Sequence, residues 1–102
     1  MISIIIPTKN AADHLANLLA SLVEQTYSDF EVIVNDDKST TDNTVKLLGK
    51  FDKKLKIKYF RENVSMAQGR KSGAGHAEGK YQLHLDADMS LSPQVLEFCI
   101  KE

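Results

Sequence analysis

The chain has 102 residues, 42% of them hydrophobic and 26% charged, the composition of an ordinary globular chain of one-domain size. A formal net charge of −1 argues against a general polyanion binder such as a nucleic-acid protein, though not against one small anionic ligand. Cys99 is the single cysteine and excludes an internal disulfide, no apolar run nears the roughly 20 residues of a membrane span, and the opening MISIIIP lacks the basic flank of a signal peptide, so the expectation is a soluble protein or domain facing the cytoplasm.

Residues 2–6, ISIII, are an apolar run of strand length that Pro7 stops. Leu15, Leu18, Leu19, Leu22 and Val23 recur at helical spacing, predicting an amphipathic helix over 11–26 with Asn10 or Asp13 as its cap. Residues 30–34, FEVIV, predict a second strand, which ends in the polar stretch NDDKSTTDNT. Val45, Leu47, Leu48 and Phe51 predict a shorter helix, capped by Ser39, Thr40 or Thr41, with Asp42 favouring its dipole. Residues 55–60, LKIKYF, alternate strictly and predict a strand with one wetter face, suited to a sheet edge. A small-residue helix follows over 66–78, with Gly79 as its C-terminal cap. Residues 81–85 predict a fourth, buried strand. Ser92-Pro93 opens a last helix to about residue 100, on which Cys99 is expected as a small core residue. The closing EFCIKE carries no stop signal and reads equally as a helix cut short in a fragment and as a natural helical end.

Strands alternating with helices imply parallel pairing through right-handed crossovers. The expected fold is α/β: a Rossmann-like parallel sheet of about four strands with helices on both faces, which accounts for the unbroken apolar runs.

In such sheets ligands bind beyond the carboxyl ends of the strands, near the point where strand order reverses. Polar residues follow every predicted strand: Pro7, Thr8, Lys9 and Asn10; then Asn35, Asp36, Asp37, Ser39 and Thr40; then Arg61, Glu62 and Asn63; then Asp86 and Asp88. The last pair stands in YQLHLDADMS, two carboxylates one residue apart where an apolar run stops. Such a pair repels itself, and a hard divalent cation, Mg2+ or Mn2+, relieves the repulsion while taking substrate phosphates as further ligands. A metal held there would neutralise a diphosphate leaving group. The alternative is that Asp86 caps a turn and Asp88 is a solvated loop residue. Asp36 and Asp37 likewise either belong to a helix cap or offer a carboxylate to a nucleotide base N–H. Arg70 serves a phosphate or is a solvated helix residue. His76 and His84 are too isolated for a metal site, and His14 lies on the polar side of the first helix. There is no G-x-x-x-x-G-K-[ST]. Gly73, Gly75 and Gly79 end a helix and precede a strand, the reverse of a dinucleotide fingerprint, and predict a close-packing surface and a cap.

Taken together, SIIIPTKN, ASLVEQTYSDFEVIVNDDKSTTDNT and AQGRKSGAGHAEGKYQLHLDAD resemble, in order and over nearly the whole chain, the N-terminal half of family 2 glycosyltransferases with the type-A fold. The resemblance implies that residues 1–102 are the nucleotide-diphospho-sugar-binding part of an incomplete type-A domain. It implies a metal-dependent, inverting hexosyltransferase-type enzyme that passes a sugar from a nucleotide diphosphate, usually UDP, to an acceptor hydroxyl on a glycan or lipid-linked acceptor. Cell-envelope polysaccharide synthesis, in the cytoplasm or at the inner face of the membrane, is the setting it suggests. Pro7, Thr8 and Lys9 would line the nucleotide, Asp37 beside Asp36 would read the uracil edge, and Arg70 would lie near the nucleotide. Asp86 would sit by the ribose and sugar and share with Asp88 the Mn2+ or Mg2+ that bridges the diphosphate. The sequence departs from the family at Lys9, where an aromatic residue is frequent. It also carries one extra residue in Ser39-Thr40-Thr41-Asp42-Asn43-Thr44, which leaves open which of Asp36 and Asp37 faces the base. The family's acceptor half and catalytic base normally lie beyond the Asp-x-Asp, and about fourteen residues follow Asp88, so the base is expected beyond Glu102. Surface left by a missing half would favour self-association. The competing reading is a non-catalytic α/β module that works through a protein partner.

Overall fold

Four strands alternate with four helices in a computed structural model that describes residues 1–38, 40–62 and 66–100, with only the backbone of 66 and 67. The order is β1 (Ile2–Thr8), α1 (Ala12–Val23), β2 (Phe30–Asp37), α2 (Thr44–Phe51), β3 (Ile57–Glu62), α3 (Met66–Gly75), β4 (Tyr81–His84) and α4 (Val95–Ile100). All pairings are parallel, and the sheet runs β3-β2-β1-β4. The chain therefore steps outward from β1 to β3 and then returns past β1 to lay down β4, so strand order reverses between β1 and β4. Among the described residues, no helix is long and apolar enough to cross a membrane.

Period-two alternation divides the central strands between two helix layers. Ile2, Ile4 and Ile6 of β1 and Val32 and Val34 of β2 join Leu15, Leu18, Leu19 and Leu22 of α1, with Leu48 of α2 and Leu96 of α4, in one buried cluster. Ile5 and Ile33 face α3 on the other side. That helix is made of small residues because it lies against the sheet: a Cβ on Gly73 would come within 2.6 Å of Ile5 Cγ2. Asn35 Nδ2 donates to Gly69 O at 2.8 Å and ties the same helix to β2.

A buried carboxylate secures the opposite end of this layer. Glu31, 0% exposed, accepts from Ser3 Oγ at 2.6 Å and from Glu78 N–H at 2.8 Å, and meets Lys58 Nζ at 2.9 Å. Burial by itself would raise its pKa, but Ser3, Lys58 and the Glu78 N–H together hold the carboxyl down at about 2. Gly79 belongs to this lock and is not a helix cap. Its φ is not positive, its N–H donates to Ser3 Oγ at 2.8 Å, and a Cβ there would lie 2.6 Å from that oxygen and 2.8 Å from Met1 O.

Several local expectations are corrected by distant partners. Neither Asn10 nor Asp13 caps α1: its Ala12 N–H is taken by Asp42 Oδ2 at 3.0 Å, from 30 residues away. The same Asp42 accepts the Thr44 N–H at 3.1 Å at the head of α2, whose cap position is Asn43, not Thr40 or Thr41. Ser39 and Asn63 lie outside the described residues. Val45 is exposed on α2. The helix α3 ends at Gly75 and α4 begins at Val95, after a turn in which Val95 N–H reaches Ser92 O. Cys99 is exposed, because Leu96 and the partly buried Ile100 supply the inner face of α4. The strand β4 is not buried: Tyr81 is 50% exposed and Leu83 alone is partly covered, since β4 pairs only with β1 among the described strands. The buried positions are Leu85 and Ala87, just beyond it.

Candidate functional site

The carboxyl ends of the strands form a rim with two unlike halves. In the first, the loops after β1, β2 and β3 are woven together around Asp36. This residue, next to last in β2, pairs with Thr8 on one side and Arg61 on the other. It is 1% exposed; its Oδ1 accepts from the Thr40 hydroxyl at 2.6 Å and its Oδ2 from the Tyr59 hydroxyl at 2.7 Å. Burial, then the hydrogen bond and negative charge of Asp36, push the Tyr59 phenol up to about 12, so it stays a donor at any physiological pH. Thr40 Oγ1 also accepts the Asn10 N–H at 3.2 Å. Asn10, at φ 48°, turns the chain out of β1 in the left-handed region that Asn tolerates, and its Oδ1 accepts the N–H groups of Thr41 (2.8 Å) and Asp42 (3.2 Å). Arg61 donates to the carbonyls of Lys38 (2.9 Å) and Thr40 (2.7 Å). Burial would raise the pKa of Asp42, but the hydrogen bonds from Thr44 and Ala12 outweigh it and hold the carboxyl below its ordinary value.

The second half lies where strand order reverses. The chain leaves β4 through Leu85, whose N–H still bonds Ile5 O at 3.0 Å, and then turns, with Met89 N–H donating to Asp86 O at 3.0 Å. Ala87 is 8% exposed and packs into the core between the two aspartates, which directs Asp86 and Asp88 outward. Arg70 of α3 donates to Asp86 Oδ1. Asp88 is exposed and makes no hydrogen bond or ion pair with any described residue. Beside them, at the end of β1, Pro7 and Thr8 are buried and Lys9 is exposed. The Thr8 hydroxyl and Asn35 Oδ1 are buried without a hydrogen-bond partner among the described residues, an unusual state for side chains of this kind.

The geometry thus brings Thr8, Lys9, Arg70, Asp86 and Asp88 to the ends of β1 and β4 and the facing helix. It keeps Asp36 inside the loop network, while Asp37, one residue on, is half-buried and alternates to the α3 face of β2. No group of three or more His, Cys, Asp or Glu side chains placed to hold a metal occurs among the described residues. Two outward carboxylates do suit a hard cation that completes its shell with water and phosphate oxygens, the habit of Mg2+ and Mn2+, and do not make a four-ligand structural site. Concavities lie elsewhere on the molecule. One of about 280 Å3 is lined by Asn10, Asp13, His14 and Asp42. Another, about 170 Å3, sits among Leu22, Tyr27, Phe30 and Lys54 at the far end of the sheet.

Sequence reading placed Arg61 at this rim without a role and missed Tyr59, and both organise it. The signal was present in LKIKYFRE: strict alternation puts Ile57, Tyr59 and Arg61 on one face, and register sets them beside Val32, Val34 and Asp36.

The chain matches the model of Glycosyl transferase family 2 over residues 3–102. It is 30% identical over 99 residues to the "Putative teichuronic acid biosynthesis glycosyltransferase TuaG" of Bacillus subtilis (strain 168), covering 95% of this chain and 39% of that protein. Among solved structures it resembles S. aureus TarS 1-349 in complex with UDP, with a TM-score of 0.89 and 28% identity over 98% of this chain and 31% of that one. It also resembles the mannosyltransferase PcManGT from Pyrobaculum calidifontis in complex with GDP-Man and Mn2+, with a TM-score of 0.77 and 27% identity over 87% of this chain and 28% of that one. The chain therefore spans less than two fifths of the length of each of these relatives.

Proposed function

The chain belongs to glycosyl transferase family 2, and on that premise we propose that it forms the donor-binding part of an enzyme that transfers a sugar from a nucleotide diphosphate, UDP in the first instance, to an acceptor hydroxyl. One observation carries this reading: Arg70 meets Asp86, and Asp86 and Asp88 follow β4 where it lies beside β1, whose end carries Thr8 and Lys9, at the switch point of the sheet. The UDP held by TarS and the GDP-Man and Mn2+ held by PcManGT support it.

In this reading Pro7, Thr8 and Lys9 line the nucleotide. Asp37 takes the base N–H, because Asp36 is 1% exposed, enclosed by Thr40 and Tyr59, and out of reach of a ligand. Asp86 faces the ribose and sugar and joins Asp88 on a divalent cation. When bound, Mn2+ or Mg2+ would neutralise negative charge on the departing diphosphate. Arg70 brings a second positive charge to the same place. The acceptor, a glycan or lipid-linked hydroxyl of the cell envelope, gives its proton to a carboxylate outside these residues, and attack from the face opposite the diphosphate inverts the anomeric centre. The cytoplasmic side of the membrane is where such donors and acceptors meet.

Calorimetry with UDP and GDP, each with Mn2+ and with EDTA, tests the reading. UDP binding that weakens at least tenfold in EDTA is the expected result. A folded sample that binds neither nucleotide in either condition overturns it. The exposed Phe98 (75%) and Tyr81 (50%) favour a second reading, a non-catalytic module that self-associates. Oligomers on size-exclusion chromatography that ignore UDP and Mn2+, in a protein silent by calorimetry, would select it.

A further inference from the structure

The Gln25-Thr26 pair has no part in the donor site, yet it reaches across the molecule to the chain that leaves Asp88. Gln25 Nε2 donates to Ser21 O at 3.2 Å and to Ser92 O at 2.8 Å, while its Oε1 accepts the Leu96 N–H at 3.1 Å. One side chain therefore ties the end of α1 to both ends of the turn that starts α4. The Thr26 N–H donates to Pro93 O at 2.9 Å. Its hydroxyl lies 3.3 Å from the same carbonyl and 2.9 Å from Glu97 Oε2. One turn back along α1, the Ser21 hydroxyl accepts the Leu91 N–H at 3.1 Å while donating to Leu18 O at 2.7 Å. Residues 91–97 are thus held along their length by three polar residues at the end of one helix.

The Asp86–Asp88 turn needs such a hold. The strand before it is four residues long, largely exposed, and paired on one side only among the described strands. Within the turn, Ala87, the Met89 N–H and the Arg70–Asp86 pair fasten the chain on the side of β4, and Asp88 beyond them has no such tie among the described residues. A cation shared by two carboxylates tolerates little drift in their spacing, because its coordination distances are short. Fixing the chain at Leu91, just beyond Asp88, restrains the turn from its far side.

We infer that Ser21, Gln25 and Thr26 are positioning residues, a clamp that sets the placement of the Asp86–Asp88 turn for its cation. The consequence for the cation rests on the donor-site reading; the restraint on the turn does not.

Two measurements on the full chain separate these. In hydrogen exchange without ligand, Gln25→Ala is expected to speed exchange at Met89 and Leu91 at least tenfold and to leave β1 unchanged. In calorimetry, it is expected to cut the advantage that Mn2+ confers on UDP affinity at least threefold, with affinity in EDTA unaltered. Thr26→Val, at an exposed site, shows both effects more weakly, and Thr26→Ser restores wild-type behaviour. Unchanged exchange at Met89 in the folded variants, or an equal loss of UDP affinity with and without Mn2+, overturns the clamp. If the wild-type chain binds no UDP, the donor reading fails, and exchange at Met89 still decides the clamp.

Discussion

On the β1–β2–β3 side of the rim, Asp36 is buried and both of its oxygens are satisfied by Thr40 and Tyr59. On the β4 side, Asp88 touches no polar partner among the described residues and the Asp86 carboxylate meets only Arg70. Both halves consist of aspartates at strand ends, so residue type does not separate them. What separates them is whether the protein itself completes the hydrogen bonds. A carboxylate completed from within organises loops and contributes stability. One left incomplete contributes little stability and keeps its charge for a ligand.

The contrast predicts unequal costs for removing each carboxylate. Asp36→Ala strands the hydroxyls of Thr40 and Tyr59 and is expected to destabilise the fold by about 3 kcal/mol, read by urea denaturation. A loss under ~1 kcal/mol would break the comparison on its woven side. The lock at the far end of the sheet gives a pH-dependent version. The Glu31 carboxyl is held at about 2 in the folded chain against an ordinary 4.5, so its contribution is complete above pH 4.5 and is lost as pH falls toward 2. Wild-type stability should fall by about 2–3 kcal/mol across that window, since a tenfold change in proton affinity is worth ~1.4 kcal/mol, and Glu31→Gln should flatten the decline. Gly73→Ala presses a methyl on Ile5 and should cost about 1–2 kcal/mol. Because α3 carries Arg70, the same variant should also weaken UDP binding measurably. Smallest in stability is Asp88→Asn, expected within about 0.5 kcal/mol of wild type, while Mn2+-dependent UDP affinity falls at least tenfold. A destabilisation matching that of Asp36→Ala would show that the two halves are not different in kind.

Much of the fold was legible in short windows of sequence. The leucines of α1, the runs ISIII and FEVIV, and the alternation of LKIKYF each express a period that a helix or strand imposes on its own neighbours. The site was legible as a collection of polar residues at strand ends. Its division was not. Asp36 and Asp37 look alike in sequence, and alternation says only that they face opposite ways; the register that sets Tyr59 beside Val34, one step back on the same face, lets its hydroxyl reach Asp36 and decides which is enclosed. Asp42 looked like a helper of its own helix, but it also caps α1 from 30 residues away. Gly79 read as a cap because glycine after a helix often is one, whereas here Ser3 and Met1 leave no room for a Cβ.

The sequence by itself determined the alternation of strands and helices, the parallel class of the sheet and the candidate acids at its rim, because periodicity and chain order are local or topological properties. Only the tertiary structure decided which acid is sealed, which is open, that β4 is exposed, and that Gln25 holds the chain beyond Asp88. Those outcomes depend on register and on hydrogen bonds between residues more than 70 positions apart. No local pattern encodes the partner at the far end of such a bond.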